Sequence, residues 1–111
     1  MIFDALTYAG DVRTVQDLID TKRVQLVHGD ITDREAVSGA MAGADAVVHF
    51  AAETHVDRSI VGPDDFIRTN CSGTNVVCDI ARRHEVGRVV HISTDEVYGS
   101  VEKGSSNETD P

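Results

Sequence analysis

An α/β domain built on a parallel sheet is what this sequence predicts, and three observations carry that prediction. Four short apolar runs, 1–3, 24–27, 46–50 and 89–92, are continuous rather than alternating, as expected for strands buried on both faces. The intervals between them hold apolar residues at helical spacing. The resulting order of strand, helix, strand, helix, strand, helix, strand implies right-handed crossovers that lay helices on the faces of the sheet.

The first run ends at Asp4, and the second ends in His28, Gly29 and Asp30. Between them Val15, Leu18 and Ile19, at i, i+3 and i+4, predict a helix. In the next interval Thr32 and Glu35 have capping-box spacing, and Ala36, Val37, Ala40 and Met41 form an apolar stripe. The third run carries Val47 and Val48 together. After it, Pro63, Asp64 and Asp65 open an interval that closes with Arg82, Arg83 and His84, with Gly87 just beyond. Proline at the start and charges complementary to the dipole predict one long helix. The fourth run stops before Ser93 and Thr94, and Gly104, Ser105, Ser106 and Asn107 predict a loop over 103–111.

With 111 residues, 41% apolar and 26% charged, the chain has the composition of one soluble domain or part of a larger one. No apolar run approaches the ~20 residues of a membrane-spanning helix, so no membrane span is expected. Ten basic against nineteen acidic residues leave a net charge of −9. That charge repels phosphate backbones and anionic lipid, which argues against a nucleic-acid partner. The histidines form no His-Glu-x-x-His and no Cys/His set at ligand spacing, so no metal is expected. Cys71 and Cys78 share a face of the long helix about 10 Å apart, too far to bridge each other. With no disulfide framework and no charged-then-apolar leader, the expectation is a cytoplasmic protein with two small buried thiols.

In an open parallel sheet, ligands bind beyond the carboxyl ends of the strands. Asp4, Asp30 with Ile31, residues 51–57 and residues 93–96 all fall there. A carboxylate at a strand end accepts both hydroxyls of an adenosine ribose, and Asp4 is the candidate for that contact with NAD. Read alone, Asp4 and Asp30 serve equally well as helix caps or turn residues. Asp95 and Glu96 are adjacent carboxylates whose pKa values should separate, leaving one an acid and the other a base, provided the site is partly closed to water. Two solvated acids in a turn are the alternative.

Five stretches occur in order: Asp4-Ala-Leu-Thr-Tyr-Ala-Gly10, His28-Gly-Asp-Ile-Thr-Asp33, His49-Phe-Ala-Ala-Glu-Thr-His-Val-Asp-Arg-Ser-Ile60, Arg68-Thr-Asn70 with Gly73-Thr74, and His91-Ile-Ser-Thr-Asp-Glu-Val-Tyr-Gly-Ser100. Together they closely resemble the dTDP-glucose 4,6-dehydratases, a nucleotide-sugar branch of the extended short-chain dehydrogenase/reductase family. The resemblance implies a partial Rossmann-like, doubly wound parallel sheet in which residues 1–111 are the central part of an NAD-binding domain. It further implies oxidation at C4 of dTDP-glucose, loss of water from C5 and C6, and return of the hydride to C6, giving a 4-keto-6-deoxy sugar.

By motif position, the resemblance makes Glu96 the base for the C5 proton, Asp95 the acid for the departing C6 hydroxyl, and Thr94 a hydrogen-bond partner of the sugar near C4. Asp4, Ala5, Leu6 and Thr7 match the adenosine-ribose edge of NAD, and Asp30 with Ile31 the adenine contact. Phe50, Ala51, Ala52, Glu53 and Thr54 would line the pyrophosphate and nicotinamide side, joined by Thr69, with Thr54 also facing the sugar. His55, Asp57 and Arg58 are as well explained by hydrogen bonding within their own loop, and Tyr98 by packing. The family's Gly-x-x-Gly-x-x-Gly turn and Tyr-x-x-x-Lys pair are not among these residues, since Val12 and Glu102 stand four places after Tyr8 and Tyr98. The segment therefore reads as internal to a longer enzyme, lacking the first strand and the C-terminal substrate region. It is expected to be inactive alone, the complete enzyme being a homodimer. Other readings are a dehydratase of UDP- or CDP-glucose, a non-catalytic dinucleotide-binding module, and an interaction module.

Overall fold

The structure, a computed structural model, describes residues 1–55, 60, 62–100 and 103–110, with the side chain of Asp95 excepted. Strand β1 (Ile2–Asp4) pairs in parallel with β2 (Leu26–His28), Ile2 opposite Leu26 and Asp4 opposite His28. Between them run a 3₁₀ turn (Val12–Val15), capped by the Asp11 side chain on the Arg13 amide, and helix α1 (Gln16–Asp20). Helix α2 (Arg34–Met41) leads to β3 (Ala46–His49). A helical rod follows, made of α3 (Pro63–Phe66), a π-helical segment (Ile67–Gly73) and α4 (Thr74–Arg83). Strand β4 (Arg88–His91) then pairs in parallel with β3 from Ala46↔Arg88 to His49↔His91, and a 3₁₀ turn (Asp95–Tyr98) follows it.

The expected α/β order is thus present, with differences that have physical causes. The strands form two two-stranded parallel sheets, β1–β2 and β3–β4, rather than one continuous sheet. The core lies between α2 and α4, where Ile31, Val37, Met41, Val76, Val77, Ile80 and Ala81 are buried, with Phe3 and Val47 packed against them. Helix α4 therefore packs against β3, and β4 is exposed along its length, Val89 at 40% on the side of Val47. On the other face Val48 and Val90 are 53% and 41% exposed and Phe50, just beyond, is 72% exposed. A continuous apolar run favours a strand, but what lies over each face is decided elsewhere in the chain.

The cap of α2 is Asp33, whose carboxylate accepts from the amides of Glu35 and Ala36, and not Thr32. Thr32 is already committed, its hydroxyl donating to Asp30. Cys71 and Cys78 are exposed rather than buried, because the core-facing stripe of α4 is Val76, Val77, Ile80 and Ala81. The long helix is interrupted by its π-helical turns, and at their end the rod meets the loop after β2. A Cβ at Gly73 would stand 2.5 Å from Cδ1 of Ile31. Gly73 has ordinary helical φ and ψ of −62° and −46°, so the requirement there is steric.

One carboxylate ties the two core helices together. Asp79 on α4 accepts from Arg34 Nη1 of α2 at 2.7 Å, from Arg82 Nη2 at 3.1 Å and from Arg83 Nε at 2.9 Å. The hydrogen bonds of Arg34 and Arg82, with Arg83 beside them, hold its pKa down to about 2. Ser38 of α2 and His84 at the end of α4 make a second link of 2.8 Å.

Gly73→Ala is expected to destabilise the fold by about 1–3 kcal/mol through overpacking against Ile31. Gly39→Ala, in α2 with open space around its Cα, should stabilise it by about 0.5–1 kcal/mol. Urea titration of both variants checks the contrast. For Asp79 the folded pKa lies below the ordinary carboxylate value, so its contribution is present above about pH 4 and is lost as the pH falls toward its folded pKa. Asp79→Asn should accordingly lower the melting temperature at neutral pH and flatten the acid limb of a melting-temperature profile.

Candidate functional site

The carboxyl ends of the strands release four loops, held by hydrogen bonds within each loop and from neighbouring elements. After β1, Asp4 Oδ1 accepts the Leu6 amide at 2.7 Å. Leu6 has a φ of +47°, a left-handed conformation that costs an L-residue with a side chain roughly 1–2 kcal/mol. The chain then turns back, Gly10 N–H donating to Thr7 O at 2.9 Å. A Cβ at Gly10 would lie 2.6 Å from the Leu6 backbone. From the neighbouring strand, His28 Nε2–H donates to Ala5 O at 3.0 Å. The carbonyl can only accept, which fixes the proton on Nε2.

After β2, Asp30 Oδ1 accepts both the amide and the hydroxyl of Thr32 at 2.8 Å. Its Oδ2 accepts Arg68 Nη1 of the π-helical segment at 3.2 Å. Partial burial opposes the charge on Asp30, but the two Thr32 bonds and the Arg68 guanidinium outweigh it and hold the pKa below the usual carboxylate value. Ile31, between them, is buried in the core. Asp4 and Asp30 are therefore turn-capping residues, each anchored by one oxygen at the end of a strand.

After β3, Asn70 grips the main chain of Glu53 from both sides. Glu53 N–H donates to Asn70 Oδ1 at 2.8 Å, and Asn70 Nδ2 donates to Glu53 O at 2.9 Å. Tyr8, from the loop after β1, reaches across: its hydroxyl donates to Glu53 Oε2 at 3.3 Å and lies 3.0 Å from His55 Nδ1. The Tyr8 and His55 rings meet edge to face at 5.4 Å. Phe50, Ala52 and Thr54 are exposed, Thr69 is half-buried, and Ala51 packs against the core. Beneath the loop the buried His49 lies 2.9 Å from Thr74 Oγ1 and 4.9 Å, ring to ring, from His91. Burial first, and the charge of His91 second, push the His49 pKa down.

After β4 the ladder continues for one bond, Ile92 N–H to His49 O at 3.0 Å. Thr94 is extended, and its side chain makes no capping hydrogen bond to the turn it precedes. The turn closes through Gly99 N–H to Glu96 O at 3.1 Å, with Gly99 at a φ of +72°. Thr94 and Glu96 are exposed. The Asp95 side chain, Asp57 and Arg58 lie outside the described residues. Tyr98, expected to pack, is 37% exposed.

Two associations result. Parallel pairing of β3 with β4 makes both strands end on the same side of their sheet, ahead of residues 50–54 and 94–96, and Tyr8 joins the loop holding Asp4, Ala5, Leu6 and Thr7 to the loop after β3. The π-helical segment holds two of these loops at once, through Arg68 on Asp30 and Asn70 on Glu53. Sequence reasoning assigned no role to Tyr8, His28, Arg68 or Asn70. Their one signal was membership of the motif stretches. Among the described residues no cluster of three or more His, Cys, Asp or Glu is placed to hold a metal ion, and no helix is long and apolar enough to cross a membrane.

Residues 2–111 match the family described as GDP-mannose 4,6 dehydratase. The chain is 56% identical over 110 residues to a dTDP-glucose 4,6-dehydratase of Streptomyces antibioticus, covering 99% of this chain and 32% of that protein. A solved double mutant of DesIV, a dTDP-glucose 4,6-dehydratase from Streptomyces venezuelae with NAD and DAU bound, superposes with a TM-score of 0.92. It is 47% identical over 98% of this chain and 34% of the other. A UDP-glucose-4-epimerase from Stenotrophomonas maltophila with bound NAD shares the fold at 28% identity and a TM-score of 0.85, over 98% of this chain and 33% of the other. The chain spans about a third of the length of the curated relatives it matches.

Asn70→Ala removes both bonds on the Glu53 main chain and leaves its half-buried amide and carbonyl without that partner. A loss of about 2 kcal/mol is expected, since each unpaired group costs roughly 1–3 kcal/mol. Hydrogen exchange should show the Glu53 amide opening while α4 amides keep their protection.

Proposed function

The chain belongs to the GDP-mannose 4,6 dehydratase family, and from that premise we propose that it acts in removal of water from dTDP-glucose, giving dTDP-4-keto-6-deoxyglucose. The observation that carries this reading is the position of Thr94, Asp95 and Glu96 directly after β4, on the strand paired with the one that releases residues 50–54. Identities of 47–56% to several dTDP-glucose 4,6-dehydratases, against 28% to the epimerase, support this reaction over its relatives.

The residues present fit the adenosine half of a dinucleotide. Asp4 and Asp30 stand at the ends of paired strands, each with one oxygen bound to its own turn. When bound, NAD would supply the reversible hydride acceptor for C4 of the sugar. Asp4, with Ala5, Leu6 and Thr7, would hold the ribose hydroxyls, and Asp30 with Ile31 the adenine. Phe50, Ala51, Ala52, Glu53, Thr54 and Thr69 would flank the remainder. Thr94, whose side chain is not used to cap its turn, would bond the sugar near C4, with Thr54 from the loop after β3.

Once C4 is a ketone, the C5 proton is acidic, and elimination of the C6 hydroxyl requires a base and an acid together. Glu96 would remove the C5 proton and Asp95 would protonate the departing oxygen. This reading takes residues 1–111 as the central part of an NAD-binding domain, in a cytoplasmic homodimer. It leaves deprotonation of the C4 hydroxyl to a group other than Tyr8, which is occupied with Glu53 and His55.

Calorimetric titration of the chain with NAD and with NADP tests the cofactor assignment. The wild type should prefer NAD by about tenfold or more, and Asp4→Asn should reduce that preference, because the carboxylate that bonds a 2′-hydroxyl repels a 2′-phosphate. Equal binding of both dinucleotides by the wild type would overturn the role of Asp4.

A further inference from the structure

We propose that Arg68 is a positioning residue that presents Asp30 to the 6-amino group of the adenine ring, so that this ion pair sets a preference for adenine over a 6-oxopurine. The inference rests on the NAD reading above and deepens it. A carboxylate oxygen has two acceptor positions. On Asp30, Oδ1 is filled by the Thr32 amide and hydroxyl, both at 2.8 Å. Oδ2 takes one bond from Arg68 Nη1 at 3.2 Å, which leaves it one acceptor position. The Asp30 side chain is 38% exposed and that of Arg68 55%, so that position opens at the carboxyl end of β2 where a ligand would lie.

Arg68 is itself held on more than one side. Its Nη1 lies 3.5 Å from Thr32 Oγ1, and its Nε lies 3.9 Å from Asp65 Oδ1, three residues earlier on the rod. The guanidinium thus lies between Asp65 and Asp30 and adds to the two Thr32 bonds a third contact on the carboxylate, the one made to Oδ2. The π-helical turns matter here. Arg68 on Asp30, Asn70 on Glu53 and Gly73 against Ile31 all fall within them, and such turns recur at functional sites.

An ionised carboxylate can only accept. It therefore bonds a 6-amino group and repels a 6-oxo group, and the discrimination depends on the carboxylate's orientation. Arg68 acts on Asp30 and contributes no base contact of its own.

The test titrates the wild type, Arg68→Ala and Arg68→Lys with NAD and with nicotinamide hypoxanthine dinucleotide, in which the 6-amino group is replaced by a 6-oxo group. The wild type should bind NAD about tenfold more tightly, the scale of one directed hydrogen bond in a partly solvated site. Arg68→Ala should shrink the ratio to about threefold or less, and Arg68→Lys should retain more of it. A melting curve establishes that Arg68→Ala is folded; if it is not, Arg68→Gln reads the same ratio. Equal weakening of both dinucleotides with an unchanged ratio would overturn the proposal, because a brace for the loop, or a guanidinium stacked on the base, acts on both alike. Equal binding of the two by the wild type would overturn the Asp30 contact, and with it the role of Arg68, while leaving the Asp4 assignment standing. Binding of neither would overturn dinucleotide binding by residues 1–111, and with it the roles given to Asp30 and Arg68 in them.

Discussion

The approach of Ile31 to the bare backbone of Gly73 is the constraint from which the rest of the site follows. Ile31 belongs to the loop after β2 and Gly73 ends the π-helical segment, so their contact sets how closely the rod lies against the carboxyl ends of the strands. With that distance fixed, Arg68 reaches Asp30 and Asn70 reaches the main chain of Glu53. A larger residue at 73 would have to displace the buried Ile31 side chain. The packing that stabilises the core and the polar contacts that shape the loops are thus one arrangement, because Ile31 takes part in both.

Charge is distributed to the same end. The chain carries −9 overall, yet the carboxylates that organise the fold each have cationic or amide partners: Asp79 has three arginines, Asp30 has Arg68 and the Thr32 amide, and Asp4 has the Leu6 amide. Asp79 joins helix to helix and is a structural tie. Asp4 and Asp30 hold their own turns with one oxygen, and the second oxygen of Asp30 takes Arg68. The cap that each side chain was offered as is the role its hydrogen bonds show.

Periodicity and end signals located all four strands within two residues and the helices α2 and α4, because those features depend on neighbours within one turn or one strand. The cap of α2 moved from Thr32 to Asp33 because Thr32 was claimed by Asp30, a competition between two local motifs that spacing alone does not rank. The exposure of Cys71 and Cys78, and of Val48 and Val90, depended on what packs against each face, which no local pattern contains. The contacts that assemble the site are longer still. Tyr8 and Glu53 are 45 residues apart and Arg68 and Asp30 are 38 apart. The motif stretches contain both partners of each of these contacts, and the pairing between stretches came only from the fold.

The loops are oriented but open, and this bears on the acid and the base. Thr94 and Glu96 are exposed, and a charge pair at 4 Å interacts by only about 1 kcal/mol in bulk water. Holding one carboxyl protonated beside an ionised partner takes a drier environment. The apolar face formed by Val48, Phe50, Val90 and Ile92 is exposed next to those same loops. Cover over that face would remove water from the Thr94–Glu96 turn and bury apolar surface in one step.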